Sequence, residues 1–330
     1  LFEEEGVLQE DNMKFDAIVG NPPYQVMASG EANGSDPIYH LFIDTSIKLG
    51  EKVSFIHPAR FLFNAGKTPK DWNEKMLNDE HFKVVRYWAN STDVFPTVDI
   101  KGGVAVTYWD KNKTFEKIGT FIAFDELRTA LNKVRAKGIK PLSDIICPES
   151  KFNLPALYSD YPNEKANIGS DGNDKRLRSN AFDKVSVFSE QPKSENDIAI
   201  HGLIKNKRVI RYINRKYIEA SENLEIFKVL LPQANGSGSI GEVLSTPMVG
   251  EPMVGYTGSF IGIGAFDTKE EAEACMKYIK TKFARAMLGT LKITQHNEKA
   301  TWQNVPLQDF TPQSDIDWSL PVPAIDKQLY

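Results

Sequence analysis

The chain has 330 residues, of which 41% are hydrophobic and 25% charged, and its formal net charge at pH 7 is −4. These values are typical of a globular protein large enough for two domains, and they argue against a surface that is basic throughout. No apolar run reaches the ~18 residues of a membrane span, and no signal peptide opens the chain. We therefore expect a cytoplasmic protein without a membrane partner. Because the first residue is Leu1 rather than methionine, we also expect a fragment of a longer protein.

Strand and helix patterns alternate over the first part of the chain. The apolar run FDAIV (15–19) predicts a buried strand, and apolar residues at helical spacing predict a helix over 37–49. Further strands are predicted at 52–57, 84–89 and 103–109, with helices near 69–78 and over 125–138. This order favours a mostly parallel, doubly wound sheet whose ligands lie beyond the carboxyl ends of its strands. We place a domain boundary near residue 140.

The second region is richer in loops, such as those at 167–175 and 233–241. Thr268 and Glu271 have the spacing of a capping box, and an apolar stripe then continues to Met287, followed by Gly289. This pattern predicts one long helix. Cys147 and Cys275 lack the spacing of a zinc site or a disulfide framework, so we expect two reduced packing residues and no metal site.

The stretch NPPY at residues 21–24 follows the first predicted strand. Its two prolines cannot continue a strand, so a rigid polar loop is expected at the strand tip. If Pro23 stiffens the backbone, the Asn21 amide oxygen and the Pro22 carbonyl can both accept hydrogen bonds from one NH2 group, while Tyr24 offers a flat face to an aromatic base. The alternative from these four residues alone is a surface turn with a capping tyrosine.

The run FDAIVGNPPYQ resembles the fourth motif of the adenine-specific (N6) DNA methyltransferases of restriction–modification systems, in the subgroup whose cofactor motif lies upstream. The resemblance continues through YHLFIDTSIKL, KVSFIHPARFLFNAG, DVFP and GGVAVTYW, and covers roughly residues 14–124. It implies that Asn21 and Pro22 hold the target amine, that Tyr24 stacks on a flipped adenine, and that Phe95 packs against that base. It also implies S-adenosylmethionine as the cofactor, with Asn21 and Pro23 at the edge of its pocket.

The family's glycine-rich cofactor loop has no counterpart in residues 1–20. We therefore expect weak or no S-adenosylmethionine binding and no activity from this chain alone. The expected fold class is α/β: a partial doubly wound, Rossmann-like methyltransferase sheet in residues 1–139, followed by a mixed α/β DNA target-recognition domain in residues 140–330. That second assignment rests on a more diffuse resemblance, carried by the helix after Thr268, the KITQ stretch and the phrase VPLQDF.

Candidate DNA contacts come from two stretches of the second region. Residues 205–216 contain six basic residues and no acidic one, which suits a phosphate track, and the KITQ stretch carries hydrogen-bonding groups suited to DNA. The candidates are Lys205, Lys207, Arg208, Arg211, Arg215, Lys292, Thr294 and Gln295. The alternative for the first stretch is a solvated face around its apolar residues. For Gly236, Gly238 and Gly241 a flexible hairpin loop is favoured over a phosphate cradle, since no GK[ST] follows.

Together these features predict sequence-specific methylation of double-stranded DNA at adenine N6, by base flipping into the NPPY pocket, within a restriction–modification system. An endonuclease region in the same full-length chain is compatible with this prediction. Two alternatives stay open. The chain can be a DNA-binding specificity module that is inactive in isolation, or a methyltransferase for a glutamine amide in proteins, where the same acceptors grip a carboxamide.

Overall fold

The computed structural model describes residues 15–27, 35–236, 238, 240–292 and 294–329. The chain divides into two compact units, one ending at Ala123 and the other beginning at Phe124. This division lies before the boundary expected near residue 140. The helix over 125–136 falls within the second unit, where it contacts another helix of that unit. Within the described residues no helix has the length and apolar composition to cross a membrane.

The first unit is built on one four-stranded sheet in the order β1-β4-β6-β5. Its elements are β1 (Ile18–Gly20), β2 (Gln25–Met27), β3 (Ser35–Pro37), α1 (Tyr39–Leu49), β4 (Lys52–Pro58), α2 (Lys70–Asn78), β5 (Phe82–Trp88) and β6 (Val104–Asp110). Each of these strands and helices, apart from the small β2–β3 hairpin, matches an element predicted from the sequence. The mixed α/β class is therefore confirmed for this part of the chain.

Strand direction in this sheet differs in one place from the parallel pairing expected. β1 pairs with β4 in parallel, but β6 is antiparallel to both β4 and β5. Three strands thus run in one direction, and the reversed β6 lies between two of them. Gly103 introduces β6 with a φ of 75°, and a Cβ there would lie 2.1 Å from the Trp88 carbonyl oxygen. Only glycine permits this close approach of the loop before β6 to the end of β5.

The core of the first unit is aromatic. Alternate residues of β4 are buried, which is the period expected of a strand with one face on the core. Phe61, which follows β4, contacts the rings of Trp72 from α2 and Phe82 from β5 at 5.0 and 6.2 Å between centroids. His57 at the end of β4 stacks on Tyr39 of α1 at 5.3 Å. These contacts fix the sheet edge at which β4 ends.

The second unit combines two sheets with several short helices. Its elements are α3 (Asp125–Ala136), β7 (Ile146–Cys147), α4 (Leu154–Asp160), α5 (Gly169–Gly172), α6 (Ala181–Lys184), β8 (Asp197–Ile204), β9 (Lys207–Asn214), β10 (Phe227–Pro232), β11 (Met248–Gly250), β12 (Val254–Tyr256), β13 (Phe260–Phe266), α7 (Lys269–Lys280), α8 (Lys282–Gly289) and α9 (Val322–Gln328). One sheet has the order β11-β10-β13-β7, and the other has the order β12-β8-β9. Cys147 and Cys275 are buried and form no disulfide, as predicted.

The prediction of one long helix after Thr268 is wrong in one respect, because this segment forms the two helices α7 and α8. The capping box is present, with Thr268 Oγ1 accepting a hydrogen bond from the Glu271 amide at 3.2 Å. The helix breaks at Thr281, whose ψ of 154° is extended and whose side chain caps α8. The carboxylate of Asp326, at the end of the chain, accepts hydrogen bonds from the first two amides of α8 at 3.1 and 3.0 Å. A distant carboxylate therefore stabilises a second helix start inside the continuous apolar stripe.

Candidate functional site

The NPPY residues form the loop between β1 and β2, at the carboxyl end of β1. Pro22 is buried, whereas Asn21 and Pro23 are exposed and Tyr24 is partly buried. The carbonyl of Tyr24 accepts a hydrogen bond from the Ile38 amide at 3.1 Å, which ties the loop to the chain before α1. The loop is thus anchored by Pro22 and Tyr24 and presents the Asn21 side chain to solvent.

The sheet brings Phe95 to this loop. Because β1, β4 and β5 run in one direction, the segments that follow them emerge at the same edge, where Pro58 and Trp88 both pair with Val104. Phe95 lies in the segment after β5, and its ring contacts that of Tyr24 edge to face, with centroids 6.4 Å apart and an interplanar angle of 65°. Two aromatic rings far apart in the sequence therefore line one place at the sheet edge.

Ser91 fastens the segment that carries Phe95. Its buried hydroxyl donates to the Val98 carbonyl and accepts from the Ile100 amide, both at 2.7 Å, and its carbonyl accepts from the Phe95 amide at 2.8 Å. Arg60 holds the far end of the segment by donating from Nε to the Lys101 carbonyl at 2.5 Å. No sequence pattern identifies Ser91, since a serine in a loop is ordinary until its partners are known.

Asn21 and Tyr24 are the neutral polar groups of the NPPY loop at this edge. Burial raises the pKa of the Tyr24 phenol, and the nearby Asn21 side chain lowers it by a smaller amount. Tyr24 Oη is buried, yet it makes no hydrogen bond of ordinary geometry to another described residue. A buried hydroxyl without a partner is unfavourable, so this group is suited to a polar atom brought in by a ligand.

His57 lies next to Pro58, where β4 ends at this edge of the sheet, and its burial in the core keeps the imidazole neutral. Burial lowers the pKa of His57 to about 4. Its Nε2 lies 2.8 Å from Thr107 Oγ1, and its Nδ1 lies 3.0 Å from the Pro58 carbonyl oxygen. Both ring nitrogens are engaged within the protein, so His57 supports the fold of the edge and is not placed to exchange protons with solvent.

For a cofactor, the loop itself offers Asn21 and Pro23, which are the two exposed members of NPPY. The segment LFEEEGVLQED, in which the sequence shows no glycine-rich cofactor loop, lies outside the described residues. Within the described part of the first unit we find no glycine-rich loop at the start of a helix that would hold an adenosine or a carboxylate. The described part of the loop therefore offers a ligand an exposed amide and, together with Phe95, two aromatic rings.

The basic stretch of the second unit does not form one track. Lys205 and Asn206 make the turn between β8 and β9, with φ of 48° and 62°, and the cations that follow alternate along β9. Lys207 and Arg211 point to one face of the hairpin and Arg208 to the other, because side chains of a strand alternate. The predicted stripe is therefore split between two faces.

Acidic neighbours neutralise part of this stretch. Arg211 forms an ion pair with Glu190 at 3.0 Å, and Arg215 forms one with Glu225 at 3.2 Å. Arg208 instead donates to the Thr246 carbonyl at 2.5 Å. These pairings agree with the solvated-face alternative for Arg211 and Arg215, whereas Lys205, Lys207 and Arg208 have no carboxylate partner among the described residues.

Lys292 is placed differently from the expected DNA contact. Its side chain is 2% exposed, it is paired with Glu242, and it donates to the carbonyls of Asn235 at 2.8 Å and Thr294 at 3.0 Å. All three ammonium protons can be satisfied inside the protein. We therefore no longer propose Lys292 as a phosphate contact. Thr294 and Gln295 beside it are exposed, which keeps both available to a partner.

The glycine-rich loop at 233–241 also closes on Glu242. The Gly238 amide lies 3.2 Å from both carboxylate oxygens of Glu242, and a Cβ at Gly236 would lie 2.1 Å from one of them. The anion that this loop surrounds is therefore a carboxylate of the same chain. The hairpin-loop interpretation is favoured, and Gly236 suits this position because its φ of 65° is one that other residues rarely adopt.

Comparison with known sequences bears on the segment that contains NPPY. Residues 1–95 match the family model described as Eco57I restriction-modification methylase. A curated protein of Mycoplasma pneumoniae (strain ATCC 29342 / M129 / Subtype 1), named an uncharacterized adenine-specific methylase, is 33% identical over 103 residues. The predicted resemblance to an adenine-specific methyltransferase of a restriction–modification system is confirmed for this segment. The aligned part is 30% of this chain and 24% of that methylase, so the chain spans about a quarter of this relative.

Two solved structures share a weaker likeness. The type IIG restriction endonuclease BpuSI is 10% identical, with 95% of this chain and 48% of that chain covered, at a TM-score of 0.35. The type IIL restriction-modification enzyme MmeI, solved in complex with DNA, is also 10% identical, with 88% of this chain and 46% of that chain covered, at a TM-score of 0.37. This chain thus spans about half of each, and TM-scores at this level do not establish a common fold.

Proposed function

We propose that the first unit is the catalytic part of an adenine-N6 DNA methyltransferase of a restriction–modification system. The observation that carries the proposal is the contact between the rings of Tyr24 and Phe95 at the sheet edge. Tyr24 belongs to the same short loop as Asn21 and Pro22. The match of residues 1–95 to a restriction-modification methylase supports the same class of reaction. In the proposal the acceptor is an adenine that has left the DNA stack.

The residues of the loop have distinct roles in this proposal. The Asn21 amide oxygen and the Pro22 carbonyl accept hydrogen bonds from the two amine protons, which keeps the nitrogen lone pair directed away from the ring. Tyr24 and Phe95 contact the base from two directions. S-adenosylmethionine supplies the methyl group. The amine proton can leave after the methyl group arrives, so the reaction needs no charged base at this edge.

The cofactor site is the next part of the proposal. We propose that Asn21 and Pro23 border S-adenosylmethionine and that this chain alone binds it weakly or not at all. Activity is therefore to be measured on the full-length protein. We further propose that the second unit is the target-recognition part for double-stranded DNA, and that an endonuclease region can accompany it in the full-length chain.

Two other functions predict different outcomes. A specificity module would bind DNA and transfer no methyl group even when the cofactor site is complete. A protein glutamine methyltransferase would use the same Asn21 and Pro22 acceptors on a carboxamide and would need no DNA. The exposed Lys205 and Arg208 of the second unit favour an anionic partner over a neutral amide.

The test is transfer of a labelled methyl group from S-adenosylmethionine, in the full-length protein, to duplex DNA and in parallel to a glutamine-containing protein substrate. Asn21→Ala should reduce DNA methylation by at least about a hundredfold, as removal of a positioned catalytic hydrogen-bond group does in other enzymes, while DNA binding stays near that of the parent. The matched control is Asn78→Ala, since the Asn78 side chain is exposed and donates to the Glu74 carbonyl at 2.8 Å.

Activity of Asn21→Ala near the parent level would reject the proposed role of the loop. Label on the protein substrate, with none on DNA, would establish the glutamine methyltransferase. DNA binding without transfer to either substrate would establish the specificity module.

A further inference from the structure

A polar groove of about 650 Å³ lies in the second unit, on the opposite side of the β8–β9 hairpin from Lys207 and Arg211. One wall is the hairpin tip, with Lys205, Asn206 and Arg208. The facing wall includes residues 232–234 at the end of β10, the turn before β13, and His296. The groove therefore joins the two candidate DNA-contact stretches, the basic hairpin and the segment after Lys292, which are far apart in the sequence.

The side chains that line the groove include two cations and, among the described residues, no carboxylate. Lys205 and Arg208 are exposed, no lining residue is acidic, and no ion pair among the described residues involves either cation. Arg208 is held by the Thr246 carbonyl, and its guanidinium carbon lies 5.7 Å from the centre of the Phe260 ring. The cation is thus oriented by neutral groups and keeps its charge available to an anion.

His201, a partly buried histidine, is affected by the charge of Arg208. Burial lowers the pKa of His201, and the charges of Arg208 and Lys228 lower it further. By contrast, Arg211 and Arg215 each face a carboxylate within 3.2 Å. Two cations of the same hairpin are therefore neutralised locally, while the cations at the groove are not.

The neutral groups of the groove indicate the kind of anion. Asn206 and Gln233 carry amides, and Ser245 and Ser259 carry hydroxyls, which are groups that bind phosphate oxygens and base edges. Among the described residues that line the groove, the imidazole of His296 is the one aromatic ring. Proteins that bind single strands rely on such rings for stacking, so this lining favours a duplex.

We propose that this groove binds the phosphodiester backbone of duplex DNA, with Lys205 and Arg208 contacting phosphates and with Gln233 and His296 facing the bases or sugars beside them. The proposal rests on the proposed function only in taking DNA as the partner. It reduces the basic stretch to the two cations on the groove side, and it adds Asn206, Gln233 and Ser259, which the sequence did not single out.

The experiment measures binding of a labelled duplex oligonucleotide to the chain as a function of KCl concentration. Each phosphate contact makes the negative slope of the logarithm of the DNA-binding constant against the logarithm of the salt concentration steeper by about 0.9. Lys205→Asn removes one charge with a residue that accepts positive φ, and Arg208→Gln removes the other. We expect each variant to bind less tightly with a slope about one unit shallower, and the double variant about two units shallower.

The matched controls are Lys207→Gln and Arg211→Gln, which remove the same charge from the other face of the same hairpin. They should leave the slope close to that of the parent. Equal changes for controls and groove variants would show that only net charge matters, and would overturn the proposal. An unchanged slope for Lys205→Asn, tighter binding of single strands than of duplex, or no duplex binding at low salt would also overturn it.

Failure of the groove and failure of the proposed function are distinguishable. A full-length protein that binds duplex DNA through Lys205 and Arg208 but transfers no methyl group would keep the groove and reject the methyltransferase. A protein that methylates DNA with a salt slope unaffected by Lys205→Asn would keep the methyltransferase and reject the groove. Because Lys205 is exposed in a turn, its substitution tests the groove even if Arg208→Gln disturbs folding.

Discussion

Replacement of Lys292 by methionine should destabilise the second unit, because it leaves the Glu242 carboxylate without its cation. Both side chains are largely buried, with 2% and 15% of their surfaces exposed. Removing one partner of a buried ion pair costs about 3–5 kcal/mol, and the two backbone carbonyls that accept from Lys292 would also lose their donor. We therefore expect Lys292→Met to lower the free energy of unfolding by about 4 kcal/mol.

The assay is urea unfolding followed by circular dichroism, with two companion variants. In Lys292→Met combined with Glu242→Gln, the carboxylate charge is gone and the Gly238 amide still has an acceptor, so about half of the loss should be recovered. Lys216→Met breaks a lysine–carboxylate pair of 2.6 Å that is 56% and 40% exposed, and it should leave stability nearly unchanged.

A different result would show that Lys292 has the role first expected from the sequence. If Lys292→Met kept the parent's stability and instead made the salt slope of DNA binding shallower by about one unit, Lys292 would be a phosphate contact. The argument from burial would then be refuted.

Two further predictions concern the first unit. The pKa of His57 is lowered from 6.5 to about 4, so between these pH values the unfolded chain binds more protons than the folded protein. Neutral His57 therefore contributes roughly 3 kcal/mol to the free energy of unfolding. This contribution is complete above pH ~6.5 and is lost as the pH falls toward ~4. His57→Gln should flatten that part of the stability curve in urea unfolding at several pH values, and parallel curves would contradict the assignment. Gly103→Ala should cost about 3 kcal/mol, from left-handed strain plus overlap with the Trp88 carbonyl. Gly119→Ala, with a φ of 57° and open space around it, should cost about 1 kcal/mol from strain alone, and equal losses for the two variants would disprove the overlap.

The elements and the NPPY loop were predictable because their signals are local. The alternation in β4 and the apolar spacing in α1 come from neighbouring residues, so the sequence is enough to place both elements. The same holds for NPPY, where two prolines and an amide determine a rigid polar loop wherever the chain carries them. The capping box at Thr268 is also local, since its two partners are three residues apart.

The remaining features depend on contacts between distant residues. The reversed direction of β6, the break at Thr281 capped by Asp326, and the burial of Lys292 against Glu242 each need a partner that no local pattern identifies. The basic stretch was found from sequence, but its division between two faces followed only once it lay on a strand, where side chains alternate, and once folding placed Glu190 and Glu225 beside it. Local residue chemistry thus determined which groups are present, and the tertiary structure decided which of them remain available to a ligand, because burial and pairing are properties of the folded neighbourhood.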